Sequence, residues 1–286
     1  MRGFDLDSRV ASFASDEVAS FAYQEKVWGG TKLKLSPKYL GYLRIKYTLD
    51  DLKKVRGDGS AGSPPRVLDA GCGGGGLSKA IKHYRDDLEV YGVDVSRKAI
   101  LHAKKNSKGV KFVVGDLYRL PYEDNYFNAV IVEDVLEHLD KPFLALSEIN
   151  RVLTKGGVFS AFIPLEGSVL SFHFWLEKLG WKSKKKLAGH IQKFKKKSLS
   201  LSLRDSGFDI ERQRYSSHLL GQIVDVSFFT FLDWTGKKLE IGLEEDLKRK
   251  PIKRFLKDSI ARITNLESQV LNFIPGAGVH IKAVKK

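Results

Sequence analysis

The stretch from Arg66 to Ile81, RVLDAGCGGGGLSKAI, sets four consecutive glycines between a β-prone run and a helix-prone one. Glycine loses more backbone freedom on folding than any other residue. Such a run persists in an ordered chain where side chains have no room. RVLDA reads as a strand and LSKAIKHY as a helix. Between them, Gly71, Gly73, Gly74, Gly75 and Gly76 give a tight turn, a close backbone approach to a ligand and exposed N–H groups at a helix start. Gly71, Gly73 and Gly76 meet the GxGxxG spacing, and no GKS or GKT follows, which argues against a P-loop.

The same alternation continues downstream. EVYGVD (89–94), VKFVVGD (110–116), YFNAVIVED (126–134) and VFSAFIP (158–164) read as four more strands. Ser96 caps the helix RKAILHAKKN, another helix runs from about Pro142 to Val152, and Lys155-Gly156-Gly157 closes that unit. YFNAVIVED is nearly continuous in apolar residues, as a strand covered on both faces is. Strands separated by helices of about ten residues predict a parallel sheet with helices on both sides. FDIERQRYSS (208–217) and GAGVHIKAVKK (276–286) read as strands six and seven. SLSLSLRDSGF is a helix closing at Gly207. Ser36-Pro37 reads as an N-cap and first-turn proline.

The expected organisation is a helical N-terminal cap (1–56), a core (57–216) with a lid segment (164–197), a helical insertion (217–275) acting as a substrate lid, and the last strand (276–286).

The glycine spacing alone suits nicotinamide, ATP and methyl-donor ligands, so the acids around it carry more weight. Asp94 ends the second strand, where a carboxylate accepts both hydroxyls of an adenosine ribose. Asp116 ends the third, within reach of an adenine amino group. Asp69 precedes the glycines. A carboxylate there suits a ligand with an amino group and is badly placed beside a pyrophosphate.

VLDAGCGGG, YGVDVS, VVGDLYRLPYEDNYFNAVIVEDVLEHL and the RVLTKGG before strand five together resemble a class I S-adenosylmethionine-dependent methyltransferase. The likeness is to the branch containing ubiquinone and menaquinone biosynthesis enzymes and many small-molecule methyltransferases. It extends through HIQKFKKKSLSLSLRDSGF to about residue 216. It implies an α/β, Rossmann-like, seven-stranded and mostly parallel sheet, with S-adenosyl-L-methionine as the cofactor. By resemblance, Gly71, Gly73 and Gly75 line the methionine. Asp94 and the adjoining Val95 meet the ribose, and Asp116 and Leu117 the adenine. Glu133, Asp134 and Val135 flank the methionine and the transferred methyl. Asn128 departs from the pattern, standing where relatives usually carry Asp.

In-line methyl transfer relies on orientation, and a base is needed only for a hydroxyl or acidic-carbon acceptor. His138, His173 and His190 are the base candidates. His138 sits just past strand four, where positioning or packing is the competing role. His173 and His190 fall in the covering segment, as does Glu166, a further candidate. The histidines show no metal-ligand spacing with the one cysteine, Cys72, so no metal is expected.

Net charge is +15, with 23 basic and 21 acidic residues in 1–150 and 26 basic and 13 acidic in 151–286. The second half attracts anions. Lysines 182, 184, 185, 186, 193, 195, 196 and 197 alternate with Trp181, Leu187, Ile191 and Phe194, a pattern that rests on an anionic membrane surface. SVLSFHFWLEKLGW and VDVSFFTFLDW supply aromatics for a large apolar acceptor. The leading expectation is methyl transfer to a small or lipid-like acceptor, prenylated or phosphate-bearing. Peripheral contact with an anionic membrane is expected with it. The alternative is a tRNA or rRNA methyltransferase using the basic half, although no RNA-binding module is recognisable. Acids in MRGFDLDSRV argue against a secretory leader, and Pro164, Glu166, Gly167 and His173 interrupt the most apolar stretch, Val158 to Leu176. The expected location is cytoplasmic, extending to the inner face of the membrane.

Overall fold

The computed structural model describes residues 27, 29–30, 33–56, 63–105, 107–236 and 251–286. Expectations for residues 1–26, and for the middle of the 217–275 insertion, lie outside the described residues.

In chain order the elements are α1 (Tyr42–Leu52), β1 (Arg66–Ala70), α2 (Gly76–Tyr84), β2 (Glu89–Asp94), α3 (Arg97–Lys105), β3 (Val110–Val114), β4 (Phe127–Glu133), a single 3₁₀ turn (Leu136–His138), α4 (Pro142–Val152), β5 (Leu153–Pro164), α5 (Phe172–Lys178), α6 (Ser183–Ala188), α7 (Lys196–Asp205), β6 (Phe208–Ser216), α8 (Leu219–Thr235), α9 (Pro251–Val270) and β7 (Gly278–Lys285). The seven strands form one sheet in the order β3-β2-β1-β4-β5-β7-β6. Only β7 runs against the others, pairing antiparallel with both β5 and β6. The chain winds outward in opposite directions from β1 and β4. Their carboxyl ends therefore open the crevice where ligands bind in such sheets.

Alternation along the strands fills both faces, because successive side chains point to opposite sides. Val67, Val90, Ala129 and Ile131 pack with Ile45 and Leu52 of α1 and Leu77, Ala80 and Ile81 of α2. Their neighbours Leu68, Tyr91, Val130 and Val132 pack the other way, with Leu146 and Ile149 of α4 and Leu199 and Leu203 of α7. Asn128, the departure from the family pattern, accepts a hydrogen bond from the Arg66 backbone N–H at 2.8 Å and so ties β4 to the start of β1.

Two sequence expectations are corrected. Ser36-Pro37 does not start a helix. It lies in a run of turns before α1, held by Asn265 of α9, whose Nδ2 donates to the carbonyls of Pro37 and Tyr39 at 2.9 Å each. Lys155-Gly156-Gly157 does not close the unit before strand five. It lies inside β5 as a bulge, since Phe127 pairs with Leu153 but Ala129 with Val158. Gly156 there has φ +71°, a conformation that costs glycine little.

A buried ion pair fastens α1 across the sheet. Arg214 of β6 donates to Asp51 Oδ1 at 2.5 Å and lies 4.0 Å from the Tyr47 ring centroid, while Ser160 of β5 donates to Asp51 Oδ2 at 2.9 Å. Removing one partner of such a pair strands the other charge. Asp51→Ala is expected to cost about 3–5 kcal/mol in urea unfolding. A loss below about 1 kcal/mol would show that the pair does not hold this edge.

Candidate functional site

A cavity of about 900 Å³ opens at the carboxyl ends of β1, β2 and β4 and extends beneath the covering segment and the α8–α9 insertion. Its floor is the glycine turn. The N–H groups of Gly71 and Cys72 both donate to the Val93 carbonyl, at 2.8 and 2.9 Å. Gly73 N–H donates to Asp94 Oδ2 at 2.8 Å. Gly71 and Gly73 line the cavity, with φ of +82° and +50°.

The run is glycine for several separate reasons. A Cβ on Gly71 would sit 2.4 Å from Val135 Cγ2, and one on Gly74 would sit 2.6 Å from the Gly30 Cα. Gly75 does not line the cavity, contrary to the expectation for it. It is the N-cap of α2 at φ +77°, and a Cβ there would meet Phe112 Cζ at 2.6 Å. Its constraint is packing against β3. Cys72 fills the turn, buried with Ile100, Ala103 and Phe112.

The acids at this end are held by backbone and hydroxyl groups. Asp94 Oδ1 accepts from Ser96 N–H at 2.8 Å, which with the Gly73 bond fixes the plane of its carboxylate. Burial raises its pKa and those two bonds oppose the rise. Asp116 accepts from Tyr118 N–H at 2.9 Å. Val95, Asp116 and Leu117 all line the cavity. Asp69 accepts from Ser78 Oγ at 2.5 Å, and burial pushes its pKa up to about 7.

At the other end, Glu133 closes β4 and Asp134 follows with φ +54°. Arg44, which sequence reasoning missed, reaches in from α1. It grips Asp134 with Nη2 on Oδ1 and Nε on Oδ2, both at 2.8 Å, and its guanidinium lies 4.4 Å from the Phe162 ring centroid. Thr48 Oγ1 donates to Glu133 Oε1 at 3.3 Å, and burial drives the Glu133 pKa well up.

His138, His173 and His190 line this one cavity although they come from separate segments. His138 Nδ1 is 3.3 Å from the Gly189 carbonyl, and burial, then the neighbouring His190, lowers its pKa to about 4. A base works best with a pKa near the working pH, so His138 is mismatched to that role at neutral pH. His190 Nδ1 pairs with Glu166 Oε1 at 2.9 Å. Lys184 Nζ bridges Glu166 and Asp225 at 2.8 Å each, and His173 Nε2 meets Asp225 Oδ2 at 2.7 Å. This chain of opposite charges joins the end of β5, the covering segment and α8. It keeps the Glu166 and Asp225 carboxyls below their ordinary pKa values despite burial, and raises that of Lys184. Lys184 therefore points inward and leaves the surface lysine pattern. Asp225 had no local signal, because its partners are distant in sequence.

Residues 68–161 match the family described as a methyltransferase domain. A demethylmenaquinone methyltransferase of Thermotoga maritima is 31% identical over 127 residues, 41% of this chain and 56% of that protein. A sterol 24-C-methyltransferase of Gibberella zeae is 35% identical over 103 residues, 34% of this chain and 27% of that one. The chain thus covers little more than half of the first relative and less of the second. Among solved structures, geranyl diphosphate methyltransferase in complex with GPP and sinefungin superposes with a TM-score of 0.54, at 14% identity, covering 85% of this chain and 78% of that one. The fold is that of the class I S-adenosylmethionine-dependent methyltransferases.

The Asp69 environment has a measurable consequence. Its folded pKa is raised above that of an unfolded aspartate. Stability is therefore lost as pH climbs from about 4 to about 7, at up to about 1.4 kcal/mol per pH unit, and the penalty is constant above that. Relative to wild type, Asp69→Asn should gain about 3 kcal/mol between pH 5 and pH 8 in urea unfolding. A pH-independent difference would contradict the raised pKa.

Proposed function

We propose that this chain transfers a methyl group from S-adenosylmethionine to a small or lipid-like acceptor, directly and in line. The observation that carries the reading is a single cavity. It has Asp69, Asp94 and Asp116 at one end and Phe162, Phe228 and Phe229 at the other. The donor residues fit the cofactor. The wall at Gly71 and Gly73 is backbone, Asp94 keeps acceptor capacity for ribose hydroxyls beyond its two N–H bonds, and Asp69 offers a carboxylate to an ammonium group. S-adenosylmethionine supplies an electrophilic methyl on a positively charged sulfur.

The protein's part is placement. Asp94 and Val95 hold the ribose, and Asp116 and Leu117 the adenine. Glu133 and Asp134 flank the reacting end, with Arg44 fixing the Asp134 carboxylate. The covering segment and α8 exclude water from the acceptor end. His173, His190 and Glu166 are tied into the charged chain there and serve first to hold that roof in place.

The named acceptors of the two curated relatives, a menaquinone precursor and a sterol, support a lipid-like acceptor. So does the outer surface. Leu179, Trp234, Ile252, Phe255 and Phe273 are exposed, as are Lys182, Lys185, Lys186, Lys193, Lys195, Lys196 and Lys197 in the same half of the sequence. Apolar groups among lysines suit the surface of an anionic membrane, so we place the enzyme peripherally at the inner face. No helix of the described residues is long and apolar enough to cross a membrane. The apolar acceptor end favours this reading over an RNA acceptor.

Titration calorimetry tests the donor assignment. S-adenosylmethionine should bind and NAD should not, and Asp94→Ala should weaken binding about 10- to 100-fold, as loss of charged hydrogen bonds does. Tight NAD binding without S-adenosylmethionine binding would overturn the proposal. Vesicle sedimentation tests the membrane assignment. Phosphatidylglycerol vesicles should capture the protein and release it in high salt, while phosphatidylcholine vesicles should not. Equal partition to both would remove the electrostatic half of the argument.

A further inference from the structure

We infer that Glu137, His138 and His190 form a binding site for a divalent first-row transition-metal ion at the acceptor end of the cavity. One ligand atom from each of the three lies within 4.8 Å of the other two. Glu137 Oε1 is 4.0 Å from His138 Nε2 and 4.0 Å from His190 Nε2. The two imidazole rings meet edge to face, with centroids 4.8 Å apart.

Three further features set this cluster apart from a chance grouping. Glu137 is fully buried, and neither of its carboxylate oxygens has a hydrogen-bond partner among the described residues. A buried carboxylate in that condition is costly unless something pairs with it or it coordinates a cation. Both histidines are also held from behind. His138 Nδ1 faces the Gly189 carbonyl at 3.3 Å and His190 Nδ1 faces Glu166 Oε1 at 2.9 Å. Such contacts orient a ligating imidazole and set its tautomer, here turning Nε2 toward the shared centre. Glu166 is itself fixed by Lys184 at 2.8 Å. Finally, the Glu137 carbonyl accepts the N–H groups of Ile191 and Gln192, both at 2.9 Å. The backbone thus locks the two contributing segments together at this point.

The donor set decides the class of ion. Two imidazoles and one carboxylate suit zinc, cobalt, manganese or ferrous iron, whereas magnesium prefers oxygen throughout. Two tetrahedral ligands about 2.1 Å from one ion are about 3.4 Å apart, so the ligand atoms close by about 0.6 Å or more on binding. Three protein ligands leave positions open, as in catalytic rather than structural sites. His138 and His190 line the cavity, so an oxygen of the acceptor reaches the ion from that side. The histidines come from two distant parts of the chain, which is why their spacing gave no metal-ligand signal.

The full chain, stripped with a chelator and dialysed, is titrated with Co(II), Zn(II), Mn(II) and Mg(II). Binding is followed by calorimetry and by the Co(II) visible spectrum. Wild type should take up one Co(II) or Zn(II) per chain with nitrogen-ligand absorption, and bind Mg(II) at least 10-fold more weakly. Glu137→Gln and His190→Ala should each lose the site. Glu166→Ala, which removes the support behind His190, should weaken it about 10- to 100-fold. Exposed His83→Ala serves as the control for adventitious surface binding and should change nothing. Circular dichroism of the metal-free variants separates loss of the site from loss of fold. For any variant that does not fold, the Co(II) spectrum and metal-induced thermal shift of wild type remain the test. No uptake by wild type, uptake unchanged in folded His190→Ala, or a preference for Mg(II) would each overturn the inference.

Discussion

Two backbone bonds to one carbonyl shape the glycine turn of this protein. Gly71 and Cys72 both donate to Val93, the penultimate residue of β2. That pins the loop leaving β1 across the end of the neighbouring strand. Asp94 follows immediately and receives Gly73 N–H, so the carboxylate and the glycine wall are positioned by one short run of backbone. The side chains that crowd the turn, Val135 from the β4 end and Phe112 from β3, leave space for hydrogen alone at Gly71 and Gly75. Sheet geometry, turn and acid are consequently a single unit. A change in the register of β1 against β2 would dismantle all three.

The far end of the cavity, beneath the covering segment, is organised differently, by charge in place of backbone. The chain His173–Asp225–Lys184–Glu166–His190 crosses from α5 to α8, to α6, to the end of β5 and back to the covering segment. Burying these groups is costly, and Asp225, Lys184 and Glu166 remain charged because each has an opposite charge beside it. Charged links of this kind specify where the roof sits. The apolar residues around them supply the bulk of the burial.

How much was legible in the sequence follows from this contrast. The strands, the glycine turn and the places of Asp94 and Asp116 at the cavity are signalled within a few residues, and periodicity and spacing report such local constraints directly. Gly75 was misplaced because a glycine demanded by Phe112 and one demanded by a ligand look identical in a GGGG run. Arg44, Lys184 and Asp225 were missed or misread because their partners are remote in sequence. Lys184 stood in a lysine-rich segment where nothing distinguishes the one inward residue from its exposed neighbours. Ser36-Pro37 carried a good helix-start signal that Asn265, far along the chain, overrides by binding the adjacent carbonyls.

The central claim is that one cavity receives donor and acceptor from opposite ends. A crystal structure with S-adenosylhomocysteine tests it most directly. The account predicts ribose hydroxyls on Asp94, adenine against Leu117, and the sulfur turned toward the Phe162 and His138 end. Adenosine density outside the β1–β4 crevice, or a sulfur facing away from that end, would contradict it.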